Sequence, residues 1–578
     1  MANLSQEKRN RMLTFLNTIK EEHSNDSDML KAIYEIEKEL MLKKYGLVWE
    51  EHEENVDIKM RTHIPVFTED KTREIISENP SNKFNFLLEG DNLHSLKLLE
   101  KTHKGKVDVI YIDPPYNTGN KDFKYDDNIV DKEDGFRHSK WLSFMFERLQ
   151  LAKKLLADDG VIMISIDENE QAQLKILCDE VFNEANYLAT FHIQVRYVEK
   201  SLTEEKPFKP VLEYVLIYAK NIMKFIANRP EEEYTDEKFN FEITELTPGE
   251  DFYVDNQKVT VFKKGEWEIK KHDESSRNLL KETWISGTIY TKMSYGKVFQ
   301  AVVEPRVEID GLSCLYKVHG RGDDGLGFRY YTGPQRANAK RGKMYSGMPL
   351  KRVEEIEQEG ISVRYLPITT YYDYAADFGN INHEGGVTFN SGKKPLKLIK
   401  QLINLSQKKD AIVLDFFAGS GTTGQATIEL NKDDGGNRRY ILCTNNEKNI
   451  CEEVTYKRFE NIQENLSHNL KYYKTDFVSR IQDDGDLVSE QLLNHIKEMV
   501  QLEYGICIDN NEYLLILTDE KADEIESEWQ KHKNCKSIYI SRNVLLTSEQ
   551  QKLFKCKNIY AIPDYYFENE LRGIGEVW

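Results

Sequence analysis

For its 578 residues the sequence holds little proline, 14 residues, and only seven cysteines, none of them in a Cys-x-x-Cys pair. Scarce proline with 32 glycines and 31% charged residues argues against collagen-like or low-complexity chains and for a globular protein. Cys178, Cys314, Cys443, Cys451, Cys507, Cys535 and Cys556 are too scattered for a zinc ribbon or a disulfide framework. No metal is expected, and the thiols read as buried or semi-buried groups in a reducing compartment. No stretch approaches the roughly 20 apolar residues needed to cross a bilayer. The opening MANLSQEKRNRM lacks the apolar core of a signal peptide, so a cytoplasmic protein without a membrane partner is expected. Net positive charge is missing too: 79 Lys and Arg stand against 98 Asp and Glu, a formal charge of -19. That argues against a protein that coats nucleic acid indiscriminately, yet allows a local basic groove, because a polyanion feels charges within a Debye length rather than their sum. No Gly-Lys-Ser or Gly-Lys-Thr phosphate loop occurs, so any ATP chemistry must belong to a partner.

What is present is length enough for one large core with insertions and appendages. Residues 1–80 read as helical, with Met29, Ile33, Ile36 and Leu40 at helical period. An α/β pattern then runs over 81–225. FNFLLEGDN is a strand ending in an acidic turn, LHSLKLLEKTHKG a helix closed by Gly105, and KVDVIYIDPPY a buried strand entering a Pro-Pro turn. A helix around Trp141 to Leu156 ends at DDG, where Gly160 is expected as a left-handed cap, and VIMISID is another buried strand. Residues 226–385 lose this rhythm and read as an inserted domain. The pattern resumes over 386–470 with AIVLDFFAGSG and RRYILCTNNE, and 471–578 read as a small separate α/β domain. Buried strands joined by helices imply a parallel, doubly wound α/β sheet.

Two motifs carry chemistry. Asp113-Pro114-Pro115-Tyr116 directly follows a buried strand, and the carboxyl ends of strands form the ligand crevice of an open α/β sheet. Such a turn suits an exocyclic amine, a poor nucleophile whose lone pair is delocalised into its ring. Acceptors on its N–H groups favour the positive charge that develops as it reacts. Asp113 supplies one acceptor and the Pro114 carbonyl, held by consecutive prolines, the other. Tyr116 offers a flat face to a base taken out of its stack. The second motif, Phe417-Ala418-Gly419-Ser420-Gly421-Thr422-Thr423-Gly424, is a glycine-rich turn between a strand and a helix. Glu447 lies at the end of the next strand, where an acid would hold ribose hydroxyls. Alone, this turn also fits a nicotinamide-dependent oxidoreductase.

Together the motifs resemble the β-class amino-methyltransferases of DNA, over about 84–225 and 386–465. The resemblance implies a Rossmann-like S-adenosylmethionine-dependent methyltransferase fold in permuted order, with the acceptor half first, a target recognition domain over 226–385, then the cofactor half. It implies S-adenosyl-L-methionine as cofactor, leaving as S-adenosylhomocysteine, and base flipping from duplex DNA. Glu89-Gly90-Asp91-Asn92 matches the acidic turn near the cofactor adenine, and Asn390 to Pro395, with Lys394, the segment beside the methionine portion. Asp415-Phe416-Phe417-Ala418-Gly419-Ser420-Gly421, with Thr422, matches the cofactor loop, and Asn446-Glu447 the ribose site. In that family an Asp in the first position of the acceptor motif accompanies N6-adenine transfer and a Ser N4-cytosine transfer; here it is Asp113, with cytosine N4 left as the alternative. The chain also resembles the modification (Mod) subunit of type III restriction-modification systems in KYGLVWEE, YIDPPYNTGN, the long insert and the tail IPDYYFENELRGIGEVW. That implies a homodimer paired with a helicase-nuclease (Res) restriction subunit.

Within the insert, from Lys317 to Arg352, nine Lys and Arg stand against Asp323 and Asp324, interleaved with Phe328, Tyr330, Tyr331 and Tyr345. Arg321, Arg329, Tyr331, Arg336, Lys340, Arg341 and Lys343 are the candidate DNA contacts. Phe208 or Lys209 is a further candidate, facing the flipped base opposite Tyr116. A DNA-recognition subunit that keeps the fold without catalysing transfer is the opposing class, against which intact Asp113, Gly419 and Gly421 speak. RNA as substrate is not excluded by residues alone.

Overall fold

The computed structural model describes residues 4–23, 26–41, 49, 52, 54–77, 83–118, 137–200, 207–337, 339, 341–389, 392–480, 487–563 and 566–576. They form two compact units, residues 1–228 with 369–578, and residues 229–368.

The first unit is built on a ten-stranded sheet. Its order is His63–Glu69, Leu470–Ser479, Asn85–Glu89, Arg439–Thr444, Ile412–Asp415, Val107–Ile112, Leu156–Ile166, Leu212–Ala219, Tyr187–Gln194 and Tyr371–Asp373. From Leu470–Ser479 to Leu156–Ile166 every pair is parallel, and antiparallel pairs follow at Leu212–Ala219 and at the His63–Glu69 edge. The central strands are apolar along their middles: Leu87, Leu88, Val109, Ile110, Leu414 and Leu442 are fully buried, as strands covered on both faces require. From the adjacent strands Val107–Ile112 and Ile412–Asp415 the chain moves outward in opposite directions, to Leu156–Ile166 and to Arg439–Thr444. Right-handed crossovers then place the connecting helices Arg137–Leu155 and Thr422–Asp434 on opposite faces and open a crevice at the carboxyl ends of those two strands. The fold is therefore the expected methyltransferase-like α/β architecture, mixed at its edges rather than wholly parallel. Among the described residues no helix is long and apolar enough to cross a membrane.

Four expectations need correction. Residues 63–69, expected helical, form an edge strand, and their buried Ile64, Val66 and Phe67 join the main core. Gly160 caps nothing, since Leu156–Ile166 begins directly after the helix and includes it. A Cβ there would sit 2.9 Å from the Val107 carbonyl oxygen, so close packing, not a left-handed turn, calls for glycine. Residues 369–385, assigned to the insert, group with the first unit, where Tyr371–Asp373 extends the sheet beside Tyr187–Gln194. The segment 471–578 also groups with that unit. Its parallel strands Tyr513–Ile516, Ser537–Ile540 and Asn558–Ala561 have their own small core, while Met499, Tyr566 and Leu571 join the main one.

The second unit is an antiparallel eight-stranded sheet, Trp267–Lys271, Phe239–Glu245, Leu280–Ile285, Gly342–Ser346, Phe328–Thr332, Leu315–His319, Gln257–Phe262 and Glu250–Val254. Alternate residues feed two separate apolar clusters, Tyr331, Tyr316 and Val261 in one and Tyr330, Leu315 and Phe262 in the other, so both faces are covered. The absence of a βα rhythm in the sequence is this antiparallel sheet.

Candidate active site

Four acids follow four neighbouring parallel strands: Asp91 after Asn85–Glu89, Glu447 after Arg439–Thr444, Asp415 closing Ile412–Asp415, and Asp113 after Val107–Ile112. Sequence position thus becomes spatial position, because parallel strands in register present their carboxyl ends along one edge. There a cavity of about 310 Å³ opens, with Asp113 to Tyr116 on one wall and Phe417 to Ser420 on the other. Both motifs read from the sequence meet in it.

On the Asp113 wall, Tyr116 Oη donates to Asp113 Oδ1 at 2.8 Å and lies 3.1 Å from Glu213 Oε2. Lys394 Nζ sits 3.1 Å from Asp113 Oδ2 and 3.2 Å from Glu213 Oε2, and 4.9 Å from the centre of the Tyr116 ring. Burial raises the Asp113 carboxyl above its usual range, and neighbouring Glu213 adds to this while Lys394 opposes it. Burial would strip Lys394 of its proton, but Asp113 and Glu213 more than reverse that, so the ammonium is held firmly charged. Trp141 Nε1 donates to the Pro115 carbonyl at 2.7 Å, which fixes the turn and leaves the Pro114 carbonyl as the neighbouring acceptor.

The opposite wall is the glycine turn. Asp415 is buried; its Oδ1 accepts from the Phe417 amide at 2.9 Å and its Oδ2 from Thr423 Oγ1 at 2.5 Å. Burial pushes its carboxyl up to about 7 against those hydrogen bonds. Gly421 has φ 77 and begins the helix Thr422–Asp434, and Thr455 Oγ1 donates to the Gly419 carbonyl at 2.6 Å. Ser420 Oγ and Thr422 Oγ1 lie 3.1 Å apart. This arrangement presents backbone groups at a helix N-terminus, with acids at the ends of the two strands beyond, which suits a nucleoside with a polar tail.

Asp91 caps the helix Asn92–His103 by accepting from the Leu93 amide at 2.8 Å. Asn92 donates to the Phe416 carbonyl at 2.9 Å, and fully buried Arg148 donates to Asn92 at 2.6 Å and to Glu54 at 2.6 Å. Asn446 Oδ1 accepts from the Glu452 amide at 3.2 Å. Asp91, Asn92, Asn446 and Glu447 thus lie along the strand-end edge but outside the cavity lining, as does Pro395, which precedes the helix Leu396–Ile403. The Phe416 side chain is wholly buried in the core and outside the lining. Asn390 and Ser391 lie outside the described residues. Glu213, Arg196 and Asp167 line the cavity without having been singled out; a lone Glu in the apolar strand VLEYVLIYAK was the available signal for the first.

In the 229–368 unit the basic run divides. Arg329 is 9% exposed and pairs with Asp323 at 2.8 Å and with Asp324, and Tyr331 is 2% exposed in the core, so both are corrected from DNA contacts to structural residues. Lys343 pairs with Glu282 at 2.7 Å and rests 4.3 Å from the Trp284 ring centre. Arg321 is exposed and donates to Gln257 at 3.1 Å, Arg336 and Arg341 are exposed, and Lys340 lies outside the described residues. In the first unit Phe208 is 86% exposed, while Lys209 Nζ donates to the Tyr197 carbonyl at 2.7 Å.

A family model described as DNA methylase matches residues 107–457, more than half of the chain. The type III restriction-modification enzyme EcoPI Mod subunit of Escherichia phage P1 is 28% identical over 553 residues, covering 87% of this chain and 79% of its own. The StyLTI Mod subunit of Salmonella typhimurium is 30% identical over 416 residues, 66% of this chain and 55% of its own, so the chain spans about half of that relative. The type II methyltransferase M.KpnI of Klebsiella pneumoniae is 32% identical over 399 residues, 67% of this chain and 87% of its own. Because the Asp113 turn, Glu213, Lys394 and the glycine turn all fall inside the matched residues, the chain belongs to the DNA methylase family.

Proposed function

We propose that the protein transfers a methyl group from S-adenosyl-L-methionine to the N6 amine of an adenine turned out of duplex DNA, as the modification subunit of a type III restriction-modification system. The observation that carries the reading is the meeting of Asp113 to Tyr116 with the Phe417 to Ser420 turn in one cavity. The Mod subunits among the relatives support the type III assignment. With it come the 229–368 unit as target reader, a homodimer, a helicase-nuclease partner and a cytoplasmic setting.

The residues present fit the cofactor. A Cβ at Gly421 would come 3.0 Å from Thr455 Cγ2, so the turn packs tightly on its protein side, and Asp91 and Glu447, at the ends of the two strands beyond, would supply acceptors for the hydroxyls and the exocyclic amine of an adenosine. When bound, S-adenosylmethionine supplies an electrophilic methyl carbon on a sulfonium. Asp113 and the Pro114 carbonyl hold the two N–H groups of the amine, which turns its lone pair towards that carbon. Tyr116 stacks on the base, and Asp113 accepts the proton that the amine sheds as its new bond forms.

Labelled methyl transfer to mixed-sequence duplex DNA, followed by nucleoside analysis, tests the reading. N6-methyladenine is the expected product; label on cytosine N4 overturns the base assignment, and no transfer overturns the activity. Sequence reading is tested separately. Arg336→Gln with Arg341→Gln is expected to weaken DNA binding and to flatten the slope of log affinity against log salt by about two, roughly 0.9 for each phosphate that is no longer neutralised. A slope equal to that of the parent removes both arginines from the interface.

A further inference from the structure

Amine methylation needs an acceptor that is ionised when the base arrives and yet basic enough to take a proton as the bond forms. Asp113 alone, buried among apolar strands, would satisfy only the second need. We propose that Glu213 and Lys394 are positioning residues that set the proton affinity of Asp113, by dividing one buried ammonium between two carboxylates.

The geometry is that of a shared cation. Lys394 Nζ is 3.1 Å from Asp113 Oδ2 and 3.2 Å from Glu213 Oε2, and Tyr116 Oη bridges the other side at 2.8 and 3.1 Å from the same two side chains. The Lys394 and Glu213 side chains are only 7% and 20% exposed, so solvent screens the triangle weakly. The groups facing Asp113 come from four elements: Tyr111 and Tyr116 from its own strand and turn, Glu213 from Leu212–Ala219, Lys394 from the segment before Leu396–Ile403, and Asp415 from the neighbouring strand. Asp167 and Arg196 line the same cavity beyond them. Among the described residues Lys394 is the cation that touches both carboxylates, so the share of it that Asp113 receives depends on Glu213.

The charge balance agrees. Asp113, Glu213 and Lys394 carry one net negative charge, which balances a sulfonium bound alongside. Once the proton released by the amine sits on Asp113, these three groups would sum to zero, as they would beside the cofactor's positive charge before transfer. Glu213 and Lys394 remain an ion pair throughout. Without Glu213 the same sum would be positive at both stages, and without Lys394 negative.

This inference rests on the methyl-transfer reading, so its test has one arm that does not need activity. In Glu213→Gln, Tyr116 keeps an acceptor oxygen while Lys394 is left wholly to Asp113, which favours the ionised form. The acid limb of the single-turnover rate against pH is expected to move down by about one pH unit, with a plateau about tenfold lower because the acceptor is a weaker base. In Lys394→Met the limb is expected to move up by a similar amount. The infrared carboxyl band of Asp113, assigned by its loss in Asp113→Asn, should titrate with midpoints that move the same way without DNA or cofactor. Limbs and midpoints that stay put, or move in one direction in both variants, overturn the proposal even if rates fall, since a merely structural role lowers rates without reordering the titrations. If Lys394→Met fails to fold, the downward movement in Glu213→Gln decides alone. A parent protein that transfers no methyl while the infrared midpoints of the variants move as described removes the functional reading and leaves the electrostatic one standing.

Discussion

Asp113→Ala is expected to slow methyl transfer by about a thousandfold while leaving S-adenosylmethionine and DNA affinities within about twofold of the parent. The size follows from what is removed: a charged acceptor on the reacting amine, whose worth in comparable sites is about 10² to 10⁴ in rate. The selectivity follows from the partners it leaves. Lys394 keeps Glu213 at 3.2 Å and Tyr116 keeps Glu213 at 3.1 Å, so no buried cation or hydroxyl is stranded. Stability should not suffer either. Burial raises the Asp113 carboxyl, so above its folded titration point the ionised group costs the fold stability, and removing it relieves that cost. A melting temperature at neutral pH equal to or above that of the parent is therefore expected. Single-turnover methylation with isothermal binding titrations makes the measurement, and a rate within tenfold of the parent would show that Asp113 is not the acceptor.

The two walls of this site were legible because each is written in consecutive residues. Asp113 to Tyr116 and Phe417 to Gly424 are short turns after apolar strands, and a strand end fixes where a turn points. The cation between the walls was legible only in part. Lys394 was placed on the cofactor side by its place in a recurring segment, and nothing local joins it to Asp113 or to Glu213, which come from distant stretches and meet through the sheet order. Counting charge along the insert misled for a related reason. The window from Lys317 to Arg352 contains the partners of Arg329, but those of Lys317 and Lys343, Glu245 and Glu282, lie outside it on other strands of the same sheet. A linear count sees a basic patch where ion pairs across the folded sheet have already neutralised part of it. Edge strands were likewise hard to see: HIPVFTE is short and follows helices, and it becomes a strand because Leu470–Ser479 offers it an antiparallel partner.

Gly421→Val is expected to weaken S-adenosylmethionine binding by about thirtyfold or more, whereas Gly435→Ala, at the other end of the same helix, should leave it unchanged. Both glycines have positive φ, 77 and 67, so each substitution meets the left-handed penalty of about 1–2 kcal/mol. Space separates them. A Cβ at Gly421 would come 3.0 Å from Thr455 Cγ2 and 3.2 Å from Phe459 Cε2, and valine adds two methyls to that; at Gly435 nothing lies within 4 Å. Overpacking adds about 1–3 kcal/mol at Gly421, and fully buried Phe459, stacked 5.2 Å from Tyr440, has little freedom to yield. The turn must move instead, and with it the Gly421 amide that donates to the Ala418 carbonyl at 2.7 Å and the Gly419 carbonyl held by Thr455. A distortion worth about 2 kcal/mol or more in the bound state is a factor of about thirty in affinity. Gly435→Ala is expected to lower only the melting temperature. Cofactor titrations of the two variants decide the matter: equal affinities would mean that the Phe417 to Gly421 turn does not cradle the cofactor, and the cavity would then need another occupant on that wall.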